Sequence, residues 1–129
     1  MDFLTSLNFW LWTAQVVLAL LYLMAGGMKA IRPIADLTKM MAWPAEYPRL
    51  TRFVGWAEVL GAIGLILPML TGILPWLTTL AAVALVLVQI LAIGFHARRG
   101  ETAKSLPMNL VLLALAVFIA WGRWGLFGG

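Results

Sequence analysis

The chain has no cysteine. Disulfides, thiol redox chemistry, iron–sulfur ligation and cysteine-held zinc are excluded with it. It has one histidine, His96, and a single imidazole without a second His or Cys is a poor metal site, so no metal is expected. Charge of both signs is scarce: Asp, Glu, Lys and Arg make up 11% of the residues, five acidic against nine basic. There is no charge run, low-complexity tract or soluble linker. No cofactor motif or nucleophile–base pair is visible either, so no catalytic residue is assigned. The net charge of +4 raises the question of a polyanion partner. The basic residues flank apolar runs, however, so anionic lipid headgroups are the expected counter-charge, and no nucleic acid is expected.

What the chain has is apolar length. Of its 129 residues 64% are hydrophobic, and the mean hydropathy is +0.99. Four runs are long enough, or nearly so, to cross a hydrocarbon core of roughly 30 Å at about 1.5 Å per residue. They are Phe9–Met28, Phe53–Leu70, Trp76–Phe95 and Leu106–Gly122. The expected fold is an all-α integral membrane protein, an antiparallel four-helix transmembrane bundle, forming one domain over residues 1–129. The first run is read as a retained span, because Asp2 and the lack of Lys or Arg before it are wrong for a signal peptide.

Charge asymmetry orients the spans. Lys29, Arg32, Lys39, Arg49 and Arg52 fall between spans one and two, and Arg98, Arg99 and Lys104 between spans three and four. The opposite side has only Arg123. Both long loops are expected in the cytoplasm of a cell (inner) membrane, with both termini outside. Pro68 and Pro75 bracket the short outer link, and Pro75 is placed in the first turn of span three. Pro107 is placed likewise for span four, with Ser105 as its cap. In the first loop Pro33 opens a short helix in which Ile34, Leu37 and Met41 recur near helical spacing, with Asp36 and Lys39 opposite. With Trp43 and Tyr47 following, this reads as an interfacial helix anchored by aromatics; an irregular loop is the alternative.

The polar residues within the spans fall at a spacing of seven. Gln15, Tyr22 and Lys29 share one face of the first span, Gln89 and His96 one face of the third, and Asn109 and Arg123 stand fourteen apart in the fourth. Glu58, the sixth residue of the second run, is the deepest charge. A carboxylate at that depth costs several kcal/mol unless paired, protonated or wetted, so it is a candidate functional group. Topology places Lys29, His96 and Asn109 near the cytoplasmic edge and Tyr22, Glu58 and Gln89 about 10 Å further in. Gln15 and Arg123 form a layer toward the outside. The six residues of the first two layers are the candidate ligand-binding set, in a small pocket inside the bundle. Ala57, Gly61 and Gly64 form a small-residue face on span two, suited to close helix packing.

Each residue also has a purely structural reading. Glu58 then pairs with Lys29 or Arg52, and Lys29 snorkels to the interface. His96 is an interfacial residue, and Gln15 and Gln89 bond between helices. Asn109 is then a helix-start residue, and Arg123 with Trp121 and Trp124 is an anchor at the outer interface. Trp10, Trp12, Trp43 and Trp76 join these as an aromatic belt, while Trp56 lies deeper.

The sequence is similar to the DoxX-like family of small four-helix membrane proteins. The likeness rests on Gly26-Gly27-Met28-Lys29 and on Phe53-Val54-Gly55-Trp56-Ala57-Glu58-Val59-Leu60-Gly61, continuing to Pro68. It runs on through Leu74-Pro75, Ala81-Ala82, His96, Arg98-Arg99-Gly100-Glu101, Pro107-Met108-Asn109 and Gly122-Arg123. Lys29, Gly55, Glu58, Gly61, His96 and Asn109 match the family pattern. Relatives of this kind include membrane subunits of thiosulfate:quinone oxidoreductases, components of oxidative-stress complexes and an assembly chaperone for receptors. The resemblance implies a redox-associated membrane subunit, quinone- or oxidative-stress-linked, accessory to an oxidoreductase if it takes part in catalysis. Without cysteine, a redox role needs a quinone or a partner subunit; no covalently bound cofactor is expected. The alternative is a non-catalytic lipophile-binding or membrane-protein assembly factor. A proton-coupled carrier is disfavoured by the lack of paired interrupted helices. Membrane lipid and a partner membrane or redox subunit are the expected partners, with a homodimer through span two a further candidate.

Overall fold

The computed structural model describes residues 3–39, 43–100 and 102–127. Asp2, Met41 and Glu101 lie outside the described residues, as do the side chains of Lys104 and Ser105. Among the described residues the chain is all-α, with no strand. The helices are α1 (Phe3–Ile31), α2 (Ile34–Thr38), α3 (Trp43–Glu46), α4 (Pro48–Thr71), α5 (Trp76–Arg98) and α6 (Thr102–Gly122), followed by a 3₁₀ turn, Trp124–Phe127. By length and composition, α1, α4 and α5 are able to cross a membrane, and the apolar part of α6, Leu106–Gly122, is shorter.

The long helices pack in a ring: α1 on α4, α4 on α5, α5 on α6 and α6 on α1. Paired positions on α1 and α4 run in opposite order, Lys29 with Glu58 and Gln15 with Leu65, so these two helices are antiparallel. Gly61 faces Leu85 and Gly64 faces Ala81, which makes α4 and α5 antiparallel too. Each helix buries one stripe: Leu11, Ala14, Gln15, Leu18, Ala19 and Tyr22 on α1; Gly55, Glu58, Ala62 and Leu65 on α4; Ala82, Leu85 and Gln89 on α5; Ala116 and Ile119 on α6. Alternating steps of three and four give the 3.5-residue repeat of knobs-into-holes packing.

Two close approaches set the helix spacing. A Cβ on Gly26 would lie 2.8 Å from Glu58 Cβ and 2.8 Å from the Gly55 carbonyl oxygen, and one on Gly55 would lie 2.8 Å from the Gly26 oxygen. The α1 and α4 backbones therefore touch beside Glu58. On the other side of α4, Gly61 and Gly64 seat α5.

Three local expectations change. α6 starts at Thr102, so Pro107 sits inside the helix rather than in its first turn. α4 runs through Pro68 to Thr71 and ends on Gly72 in the left-handed conformation, φ 74°. The first loop holds two short helices instead of one. Pro33 precedes α2 as expected, Leu37 is fully buried, and Asp36 and Lys39 are exposed. Trp43 is buried at the end of α5, where its ring meets Phe95 edge-on at 5.5 Å and Tyr47 meets the same ring at 5.6 Å. An Arg99–Glu46 ion pair closes this contact. Trp43 is thus a packing residue, not part of an exposed belt.

Candidate functional site

The face of α1 carrying Gln15, Tyr22 and Lys29 points inward, as the spacing of seven predicts. Lys29 Nζ lies 2.9 Å from Glu58 Oε1, with side-chain exposures of 16% and 4%. Arg52, the other candidate partner of Glu58, donates instead to the Lys29 carbonyl oxygen at 3.0 Å. The Gly26–Gly55 approach explains the pair. With no side chain between them, the two backbones come close enough for a short reach from Lys29 to Glu58.

One layer along, Gln89 Nε2 donates to Tyr22 Oη at 2.5 Å, both residues buried. The Lys29–Glu58 and Tyr22–Gln89 pairs are anchored seven residues apart on one face of α1, with partners from α4 and α5. Gln89 Oε1 is buried with no hydrogen-bond partner. Asn109 is buried on α6, and its Nδ2 likewise has no partner. His96 is half-buried at the end of α5, its ring edge-on to Phe95 at 5.6 Å. No described hydrogen bond joins His96 or Asn109 to the Glu58 cluster.

The opposite end of the molecule holds the Gln15–Arg123 layer that the sequence places there, joined by Asn8 and Thr79, which it does not. Arg123 is 9% exposed, so it is held inside the bundle rather than on its surface. Its Nε donates to Gln15 Oε1 at 2.8 Å and its Nη1 to Asn8 Oδ1 at 2.9 Å. Gln15 Nε2 in turn donates to the Leu65 carbonyl at 2.7 Å, and Thr79 Oγ1 to the Arg123 carbonyl at 2.6 Å. The guanidinium stands over the Trp12 ring at 5.6 Å. Burial alone lowers its proton affinity from the ordinary Arg value. A signal for Asn8 was present, since it precedes Gln15 by seven residues.

The polar cluster does not line an internal pocket with the clefts described. One cleft lies on α6, lined by Leu110, Leu113, Ala114, Val117, Phe118 and Trp121. A second runs between α1 and α4, between Val16, Leu20 and Leu23 on one side and Ile63, Ile66 and Leu67 on the other. Both are apolar. Gly61 and Gly64, expected to offer a face to another chain, are occupied by α5.

No curated protein and no solved structure gave a match to this chain. The model of the DoxX-like family matches residues 13–119, a stretch that holds the Lys29–Glu58 and Tyr22–Gln89 pairs, and the chain belongs to that family.

Proposed function

We propose that the chain is a small integral membrane protein that crosses the bilayer four times as an antiparallel bundle. It is then an accessory, redox-associated subunit that binds a quinone at the Lys29–Glu58 pair. The exterior supports the membrane reading: Phe53, Leu60, Leu70 and Leu91 are each about two-thirds exposed or more, while Gln15, Glu58, Gln89 and Asn109 are buried. The loop basic residues support cytoplasmic long loops and external termini. α2 and α3 then lie at the cytoplasmic surface.

The observation that carries the quinone reading is the ion pair itself, together with its neighbourhood. An ammonium has three N–H donors, and Glu58 takes one from Lys29. The remaining donors suit a quinone carbonyl at the rim of α1 and α4, and Gln89 Oε1, buried without a hydrogen-bond partner, suits the hydroxyl of the reduced quinol. The apolar cleft along the same two helices suits an isoprenoid tail. A bound quinone would supply the electron-accepting chemistry. Lys29 and Glu58 would orient its head and exchange protons with the cytoplasmic side, with electrons coming from a partner subunit.

The test is mass spectrometry of an organic extract of protein released gently from native membranes. A quinone enriched in the wild type and lost in Lys29→Met and Glu58→Gln is the expected result. An identical phospholipid background in all three, with no quinone, removes the reading. A second reading, a non-catalytic lipophile-binding or assembly factor, rests on the apolar lining of both clefts. It expects a bound lipophile or partner that these two substitutions leave unchanged.

A further inference from the structure

Among the described residues, Arg123 is a buried cation without an anion. The described ion pairs join Lys29 to Glu58 and Arg99 to Glu46, and the guanidinium meets only neutral acceptors, Gln15 and Asn8. Its Nη2 is buried with no hydrogen-bond partner. A guanidinium presents five N–H donors in a planar fork, and a fork with one prong unused fits an oxyanion that spans both nitrogens. A side chain kept from water normally has its donors filled and its charge balanced, so an anion is the component that would complete this arrangement.

The surroundings indicate the depth of that component. Arg123 lies at the end of the molecule formed by the start of α1, the α4–α5 link and the end of α6. Trp10, Trp76, Trp121 and Trp124 all stand exposed at this end. Exposed Trp rings collect at the headgroup level of a bilayer. Asn8, itself on the surface, covers Nη1 with a neutral oxygen. Movement of that one side chain would open the guanidinium toward the headgroup zone.

We propose that Arg123 is a binding site for a phosphate-bearing anion, with the phosphodiester of an anionic phospholipid as its favoured source. The phosphate takes the place of Asn8 Oδ1 on Nη1 and reaches Nη2, while Gln15 holds Nε. Asn8 is the displaceable cover, and Gln15 and Thr79 are positioning residues. This site lies at the end of the helices remote from Lys29 and Glu58. It depends on the membrane reading but not on the quinone reading.

The test is native mass spectrometry of the full chain in detergent. It compares phosphatidylglycerol, a diacylglycerol with the same acyl chains, and inorganic phosphate. One phosphatidylglycerol should be retained in preference to the diacylglycerol, and Arg123→Gln should weaken that retention about tenfold or more, the usual loss for a charge-assisted hydrogen bond. Asn8→Ala should keep or raise it. Retention of inorganic phosphate that Arg123→Gln abolishes would also support the anion site, with a free anion as its source. Equal retention of the two lipids by the wild type, without phosphate binding, would overturn the proposal, and that comparison needs no variant to fold. Wild-type retention in a folded Arg123→Gln would overturn it as well.

Discussion

At the scale of single residues, the Lys29–Glu58 pair dominates the energetics. Two charges 2.9 Å apart in a nearly dry position stabilise each other strongly, but only after both have lost water. Removing one partner leaves the other uncompensated. Lys29→Ala or Glu58→Ala is expected to cost about 3–5 kcal/mol, and the double replacement Lys29→Met with Glu58→Leu to recover most of it. Thermal unfolding in detergent would check this; single variants that lose less than about 0.5 kcal/mol, the range of ordinary surface changes, would contradict it. The inward face of α1 was legible because seven residues return to one side of a helix. The partners were not legible, since Glu58 had two cations within plausible reach and only the Gly26–Gly55 contact selects Lys29. The layer shared by Gln15 and Arg123 was legible, but the burial of Arg123 was not. It stands two residues after Trp121, about 200° around a helix, so a nearly two-thirds-exposed Trp121 and a buried Arg123 are compatible neighbours.

At the scale of elements, glycine decides which helices touch. Gly26 and Gly55 leave no room for a methyl between α1 and α4, whereas Gly27, one residue along, has nothing within 4 Å of its Cβ direction. Gly55→Val is therefore expected to destabilise by about 1–3 kcal/mol or more through overpacking. Gly27→Ala should be neutral, or stabilising by up to about 1 kcal/mol from helix propensity. A thermal melt of the two variants side by side is the measurement, and equal effects would refute the close crossing. Spacing made Gly61 and Gly64 small-residue candidates on α4. It did not say that they meet α5, nor that Gly55 on the same helix meets Gly26 on α1, because the pattern along one helix does not name the neighbour it faces. The helix ends were less legible than the helices. Pro107 resembles a helix start, yet α6 begins five residues earlier at Thr102, and the proline costs one intrahelical bond inside it.

At the scale of the whole molecule, the polar side chains of the long helices, Gln15, Glu58, Gln89 and Asn109, are buried while many large apolar ones lie on the outside. The cytoplasmic assignment of the loops adds a direction that the packing itself does not contain. The loop contact does limit the options. Leu37 and Trp43 are buried, and Glu46 pairs with Arg99 at the end of α5, so the α1–α4 loop and the α5–α6 link share one end. In the proposed four-span arrangement sidedness therefore comes as a single choice: the loop and that link would face one compartment, and the α4–α5 link the other. The absence of cysteine makes this choice directly measurable, since any introduced thiol is the only one in the chain. Asp36 in α2 and Thr71 at the end of α4 are both exposed and lie at opposite ends. With the proposed orientation, Thr71→Cys should react with a membrane-impermeant maleimide on intact cells or spheroplasts, and Asp36→Cys only after permeabilisation. The reverse pattern would invert the topology but keep the four crossings. Labelling of both from outside would mean that these ends do not lie on opposite sides of a bilayer, and the four-span proposal would fall with it.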